Sequence, residues 1–317
     1  MSTNNSRQAR QTTNRVMMIR PVRFEGNAQT AATNAFQTEL GEFDAAAIQR
    51  AALAEFDNYV GVLRAAGVTV TVIEDTPEPH TPDSMFPNNW ISFHEGGTVV
   101  LYPMFTANRR QELRPELITE IEAATGLAWS NVEDLSDLHN EGGYLEGTGS
   151  LVLDREHCIA YACRSPRTNL AGLKAFEDRM QYELVVFDSI SENGAVVFHT
   201  NVMMGIGSDF AIVCLDSIPN KSERDAVVQR LSETGHVVIP ITLGQMQQFA
   251  GNFLALRTSE GQPLAVFSSG AFQCLNQEQR SQIEGFARVI HSPLETIESH
   301  GGGGARCMLA EVFGNPD

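Results

Sequence analysis

Apolar residues recur at helical spacing in five stretches of the chain, residues 43–66, 108–125, 168–182, 220–234 and 276–290. Their starts lie roughly 52 to 65 residues apart, a period that signals an array of supersecondary units. Most are followed by a turn and a β-rich run. Gly67 precedes Val68-Thr-Val-Thr-Val-Ile73, and Gly235 precedes His236-Val-Val-Ile-Pro-Ile-Thr242. The unit therefore mixes helix and strand.

A second set of segments keeps the same beat, each a polar or glycine-rich step running into an apolar strand: residues 88–93, 145–153, 199–204, 251–256 and 305–309. Their leading polar residues Asn89, Glu146, His199, Asn252 and Cys307 follow one another at intervals of 57, 53, 53 and 55 residues. Equal phase implies equivalent places in equivalent units. If the units stand around an axis, as in radially repeated folds, these five side chains converge on one central channel. The expectation is one α/β domain over residues 16–317, preceded by a disordered tail over residues 1–15, which are polar and rich in Asn, Thr, Gln and Arg.

Composition narrows the partners. Of 317 residues 42% are apolar and 19% charged, a globular balance, and no apolar run approaches the roughly 20 residues that cross a bilayer. The formal charge, 22 − 39 = −17, argues against nucleic acid and anionic membrane as partners. The five cysteines form neither a CxxC pair nor a zinc-like spacing with histidine, so no disulfide framework and no metal site are expected. A reducing cytoplasm, a small-molecule substrate and, by default, a homo-oligomer fit this reading.

Cys307 follows four consecutive glycines at a β-rich run. Such a stretch is costly in chain entropy, which suggests close approach of backbone to a ligand; Arg306 and the glycine turn are expected to favour a thiolate. Cys158, Cys163, Cys214 and Cys274 lie in apolar runs and read as core thiols. His199 shares the phase of Cys307 and Glu146, making it a general acid/base with Glu146 orienting it. Asn201, two residues on, would face the same way on a strand. Arg109 and Arg110 open a predicted helix, where the dipole disfavours them. Arg164 and Arg167 occupy the corresponding turn one unit later. A substrate carboxylate held by bidentate bonds would explain that placement.

The ordered set Arg20-Pro-Val-Arg-Phe24, Thr30-Ala, Asn34-Ala-Phe-Gln37, Asp83-Ser-Met-Phe-Pro-Asn-Asn-Trp90, Glu146-Gly-Thr-Gly, Arg167-Thr-Asn, His199-Thr-Asn and His300 through Cys307-Met308 resembles the pentein or amidinotransferase superfamily. The resemblance is greatest to the citrulline-utilisation hydrolase branch, near dimethylarginine dimethylaminohydrolase. It implies a five-bladed, pseudo-symmetric α/β propeller and covalent catalysis without metal or organic cofactor. Cys307 would attack the central carbon of a guanidino or ureido group and His199 would shuttle protons. Glu146 would hold the reacting nitrogens, Arg109 and Arg167 would grip a carboxylate, and Asp83 would face the substrate.

Two positions depart from the arginine-hydrolysing pattern. Arginine-hydrolysing relatives commonly carry an aspartate where this chain has Asn89, and the deiminases carry another where it has Asn201. Removing the anionic partner of a buried cation costs about 3–5 kcal/mol, so the amides favour a neutral ureido group. Two rival readings use the same fold: an amidinotransferase with the same Cys, His and Glu, and a non-catalytic binding pentein.

Overall fold

A computed structural model describes residues 9–31, 34 and 44–316. Among the described residues, five three-stranded sheets each combine one antiparallel and one parallel pairing. In the second, Ile91–His94 runs antiparallel to Thr98–Leu101, which runs parallel to Asn131–Asp134. The third repeats this with Val152–Asp154, Ile159–Cys163 and Glu183–Phe187. The fourth uses Met204–Ile206, Phe210–Val213 and Val237–Pro240, the fifth Leu254–Arg257, Pro263–Ser268 and Arg288–Ser292. The first is assembled from both ends of the chain, with Ala310–Glu311 antiparallel to Arg15–Arg20 and Arg15–Arg20 parallel to Thr69–Glu74. This is the expected five-bladed α/β propeller, its circle completed by the last blade-forming strand.

Parallel neighbours require a crossover, and each crossover carries a predicted helix: Ala45–Ala65, Leu117–Thr125, Leu170–Met180, Lys221–Glu233 and Gln277–Phe286. Four begin at a side-chain cap, with Asp44, Asn169, Asn220 and Asn276 accepting from first-turn backbone N–H groups. The second is shorter than the predicted 108–125. Pro115 has no N–H to donate and pushes Arg114 out of helical geometry, so the segment splits into a 3₁₀ turn, Arg109–Glu112, and the helix Leu117–Thr125. Phe43, at the start of the first predicted helix, lies outside the described residues.

The polar steps are not strand starts. Asn89, Glu146, His199 and Cys307 belong to or cap single helical turns, Pro87–Asn89, Gly147–Ser150, Thr200–Met203 and Ala305–Met308, each leading into a strand. Asn201 therefore lies in a helical turn and not on a strand. The turn Pro87–Asn89 touches both Gly147–Ser150 and Ala305–Met308, and Gly147–Ser150 touches Thr200–Met203, which gathers the blades around one centre.

The expected tail is ordered over its last residues. Gln11 is buried, its side-chain amide donating to the Leu153 carbonyl at 2.9 Å and accepting from the Arg155 N–H at 2.8 Å, and Thr13 donates to the Val312 carbonyl at 2.9 Å. Residues 1–8 lie outside the described residues. Among the described residues no helix is long and apolar enough to cross a membrane.

Candidate active site

The Glu146-Gly-Thr-Gly turn brings three blades together because two of its residues lack side chains. Gly147 sits at φ 46°, and a Cβ there would strike the Asn88 carbonyl oxygen. At Gly149 a Cβ would overlap the Asn89 amide and lie 2.9 Å from His199 Nδ1. Real Cβ atoms do not approach so closely, so glycine allows Asn89 and His199 to close over this turn.

His199 is buried, and its Nε2 lies 2.8 Å from Glu146 Oε2. A carboxylate only accepts, so Nε2 carries the hydrogen and Nδ1 keeps its lone pair. The other Glu146 oxygen accepts the Phe105 N–H at 3.1 Å. Arg109 Nη1 and Arg167 Nη1 each stand 3.6 Å from Oε2. Burial opposes the charge on Glu146, but Arg167, the His199 hydrogen bond and Arg109 outweigh it and hold the carboxyl well below its ordinary range. Burial lowers His199 to about 4 against the pull of Glu146, so the resting imidazole is neutral.

Arg109 is fully committed within the protein. Its Nε and Nη2 form a fork with Glu112, both at 2.9 Å, and its Nη1 donates to Asn89 Oδ1 at 2.9 Å. Burial works against its charge, but Glu112, Asp83 and Glu146 secure it. Asp83 stands 3.5 Å from Arg109 Nε and accepts from Asn27 at 2.8 Å. The Arg167 guanidinium lies 4.7 Å over the Phe198 ring and donates to the Thr30 carbonyl at 3.3 Å. The other paired arginines point elsewhere: Arg110 binds the Met104 and Phe105 carbonyls, and Arg164 pairs with Asp188 and Glu223.

Cys307 is buried, with Asn252 Nδ2 3.3 Å and Asn201 Nδ2 3.6 Å from its sulfur. Burial raises the thiol above its usual value; Asn252, Gly304, Arg306 and Asn201 oppose this without reversing it. The expected thiolate is thus not the resting form. Arg306 contributes little because its guanidinium turns away, to Glu311 at 2.9 Å and the Leu309 carbonyl at 2.8 Å. The four glycines also serve the protein itself: side chains at Gly301 and Gly303 would meet the Phe86 ring, and at Gly304 the Asn252 amide.

One narrow cleft joins these groups. Cys307, His199, Asp83, Asn89, Arg109 and Arg167 line it, with Phe86 and Phe198 as apolar walls. Glu146 lies behind His199. Asn201, expected to bind substrate, lies against the sulfur and lines a second cavity with Gln11, Arg306 and Glu311. Its phase in the sequence places Asn252 at the centre but gives it no role there.

Residues 20–314 match the model of the family described as N,N dimethylarginine dimethylhydrolase, eukaryotic. Compared sequence to sequence, the chain matches no curated protein. Among solved structures it resembles ArgZ, an arginine dihydrolase from the ornithine-ammonia cycle in Cyanobacteria, with 16% identity and a TM-score of 0.72 over 95% of this chain and 41% of that one. The N-terminal domain of ArgZ, covalently bound to a reaction intermediate, gives 16% identity and a TM-score of 0.72 over 95% of this chain and 98% of the domain. A dimethylarginine dimethylaminohydrolase variant holding an adduct with S-methyl-L-thiocitrulline gives 16% identity and a TM-score of 0.61, covering 94% and 98%. At such identity the likeness establishes the fold, and the chain spans less than half of full-length ArgZ.

Proposed function

Because the chain belongs to the N,N dimethylarginine dimethylhydrolase family, within the pentein superfamily, we propose that it is a cysteine-dependent hydrolase of a C–N bond at the guanidino or ureido end of an arginine- or citrulline-like small molecule, releasing ammonia. The observation that carries this reading is the opening of Cys307 and the Glu146-bound His199 onto one buried cleft, together with Asp83, Arg109 and Arg167. The thiol proton passes to the neutral His199 as sulfur attacks the central carbon. The tetrahedral carbon then expels an amine, which leaves with that proton. Water gives a proton to His199 as its oxygen adds to the adduct, the C–S bond breaks, and the proton returns to sulfur. From a guanidinium this yields ammonia and a ureido product. From a ureido group it yields ammonia and a carbamic acid that decomposes to an amine and carbon dioxide.

Asn89 favours the ureido chemistry. Arg109 only donates, so it fixes Oδ1 toward itself and leaves Nδ2, which has no hydrogen-bond partner among the described residues. An amide N–H suits a ureido oxygen, whereas a guanidinium offers it no acceptor. The site would then accept a citrulline-like molecule, either as first substrate or as the product of its own first turnover. The description of ArgZ as an arginine dihydrolase is in keeping with this. Arg109, forked to Glu112, serves here to position Asn89, and Arg167, which lines the same cleft, would meet a substrate carboxylate.

The test is product analysis after incubation with arginine, N-methylated arginines and citrulline, following ammonia, citrulline and ornithine, with Cys307→Ser as control. Cysteine-dependent ammonia release supports the proposal, and ornithine from citrulline supports the ureido step. Transfer of the one-carbon group to added glycine or lysine would replace it with an amidinotransferase. Turnover of none of them would favour a binding protein.

A further inference from the structure

Asn252 is wholly buried, on the segment that joins the last strand of the fourth blade to the first of the fifth. Two backbone groups orient its amide independently. The Arg306 N–H, which only donates, meets Oδ1 at 3.1 Å, and the Asn201 carbonyl, which only accepts, takes one Nδ2 hydrogen at 2.9 Å. The remaining Nδ2 hydrogen faces the Cys307 sulfur at 3.3 Å. Gly304 preserves this arrangement, because a Cβ there would lie 2.7 Å from Asn252 Oδ1.

We propose that Asn252 is a catalytic residue of the cysteine hydrolase, its amide donating to the Cys307 sulfur and stabilising the thiolate both at attack and at release of the adduct. This rests on Cys307 being the nucleophile. Other charged or titratable groups surround the sulfur. Arg306 lies on the same turn with its guanidinium turned to Glu311, and Tyr59 of the helix Ala45–Ala65 donates to the Ala305 carbonyl at 3.3 Å. Asp83, Arg109, Arg167 and His199 share the cleft. Among the described residues, only Asn252 and Asn201 donate side-chain hydrogen bonds to the sulfur, and Asn252 is the nearer and the more firmly oriented. An amide has two advantages over a cation here. It does not titrate, and it forms no ion pair that would compete with a charged substrate.

The test reads the sulfur directly and needs no knowledge of the substrate. The ultraviolet absorbance of the thiolate is titrated in wild type, Asn252→Ala and Asn252→Asp, each against its own Cys307→Ser counterpart. A hydrogen bond to a charged group corresponds to about one to two pH units, so the Ala variant should titrate that much higher. Asn252→Asp keeps the shape and the bond to Arg306 but turns a carboxylate oxygen to the sulfur, and should titrate at least as high. Turnover of the Ala variant should fall roughly 10- to 100-fold in kcat and recover as pH rises, with KM little changed. Should Asn252→Ala not fold, the isosteric Asp variant carries the test alone. A folded variant with wild-type titration of Cys307 overturns the assignment, as does a loss of kcat that alkali does not restore. Retained turnover in Cys307→Ser would instead defeat the underlying reading of the nucleophile.

Discussion

Glu146→Gln separates the two jobs of this carboxylate, which are carrying charge and choosing the tautomer of His199. Glutamine keeps the shape, and its oxygen still accepts the Phe105 N–H that Glu146 Oε1 accepts at 3.1 Å. That requirement turns the new NH₂ group toward His199 Nε2, 2.8 Å away in the native pair. Both would then be donors, so the imidazole must move its hydrogen to Nδ1. It loses the lone pair with which it accepts protons in the cleft, together with a charge-assisted bond worth about 1.5–3 kcal/mol. Replacing the carboxylate partner of a catalytic histidine by an amide costs roughly 10⁴-fold in serine proteases, where the same tautomer fault arises. The expected fall in kcat is therefore about 10³- to 10⁴-fold, or about 4–5.5 kcal/mol, with KM nearly unchanged. Steady-state ammonia release at pH 7.5, beside a thermal melt and the ¹⁵N shifts of the imidazole, is the assay. A folded Glu146→Gln enzyme retaining a tenth of wild-type kcat, or one whose His199 still carries its hydrogen on Nε2, would refute this reasoning.

Three further outcomes are expected. Gly149→Ala drives a methyl group into both Asn89 and His199; overpacking of this kind costs about 1–3 kcal/mol, and kcat should fall at least tenfold while a denaturant melt shows the loss of stability. His199 titrates near 4 in the fold and near 6.5 when unfolded, so the unfolded chain binds more protons between those values and stability declines as pH falls through the window. The decline amounts to about 3 kcal/mol by pH 4, and urea midpoints should drop less steeply for His199→Gln than for wild type; parallel slopes would show that His199 is not held neutral. Arg109→Lys loses the fork to Glu112 and the bond to Asn89. Lysine keeps the charge but not the planar fork, so the loss is about 1.5–3 kcal/mol, visible as a lower melting temperature, and ureido turnover should suffer as Asn89 loses its fixed orientation.

The repeat was legible because each blade must solve the same packing problem, a helix over two parallel strands with a polar step at the axis. That constraint left a period in the sequence, and the period placed Asn89, Glu146, His199, Asn252 and Cys307 at one centre. What the period could not convey is direction. Asn252 and Asn201 are chemically alike, and only the Arg306 N–H and the Asn201 carbonyl show that one amide is locked onto the sulfur. The thiol reading failed for a related reason. Arg306 adjoins Cys307 in sequence, but its side chain is drawn to Glu311, five residues on. Arg109 was expected to serve the substrate because Glu112, three residues on, was not recognised as its partner once Pro115 shortened the helix. Gln11 reads as tail in sequence, and only the edge of the third blade gives it acceptors and donors.

Hydrolysis through Cys307 requires a covalent bond between its sulfur and the substrate carbon. Mixing the enzyme with excess arginine or citrulline, quenching in acid during the first turnovers and measuring intact and peptide masses tests it directly. The expected result is a mass gain equal to substrate minus ammonia, confined to the peptide bearing Cys307, formed and lost on the timescale of turnover and absent in Cys307→Ser. Turnover that proceeds at full rate with no such adduct, or an adduct on any of the other four cysteines, would contradict it.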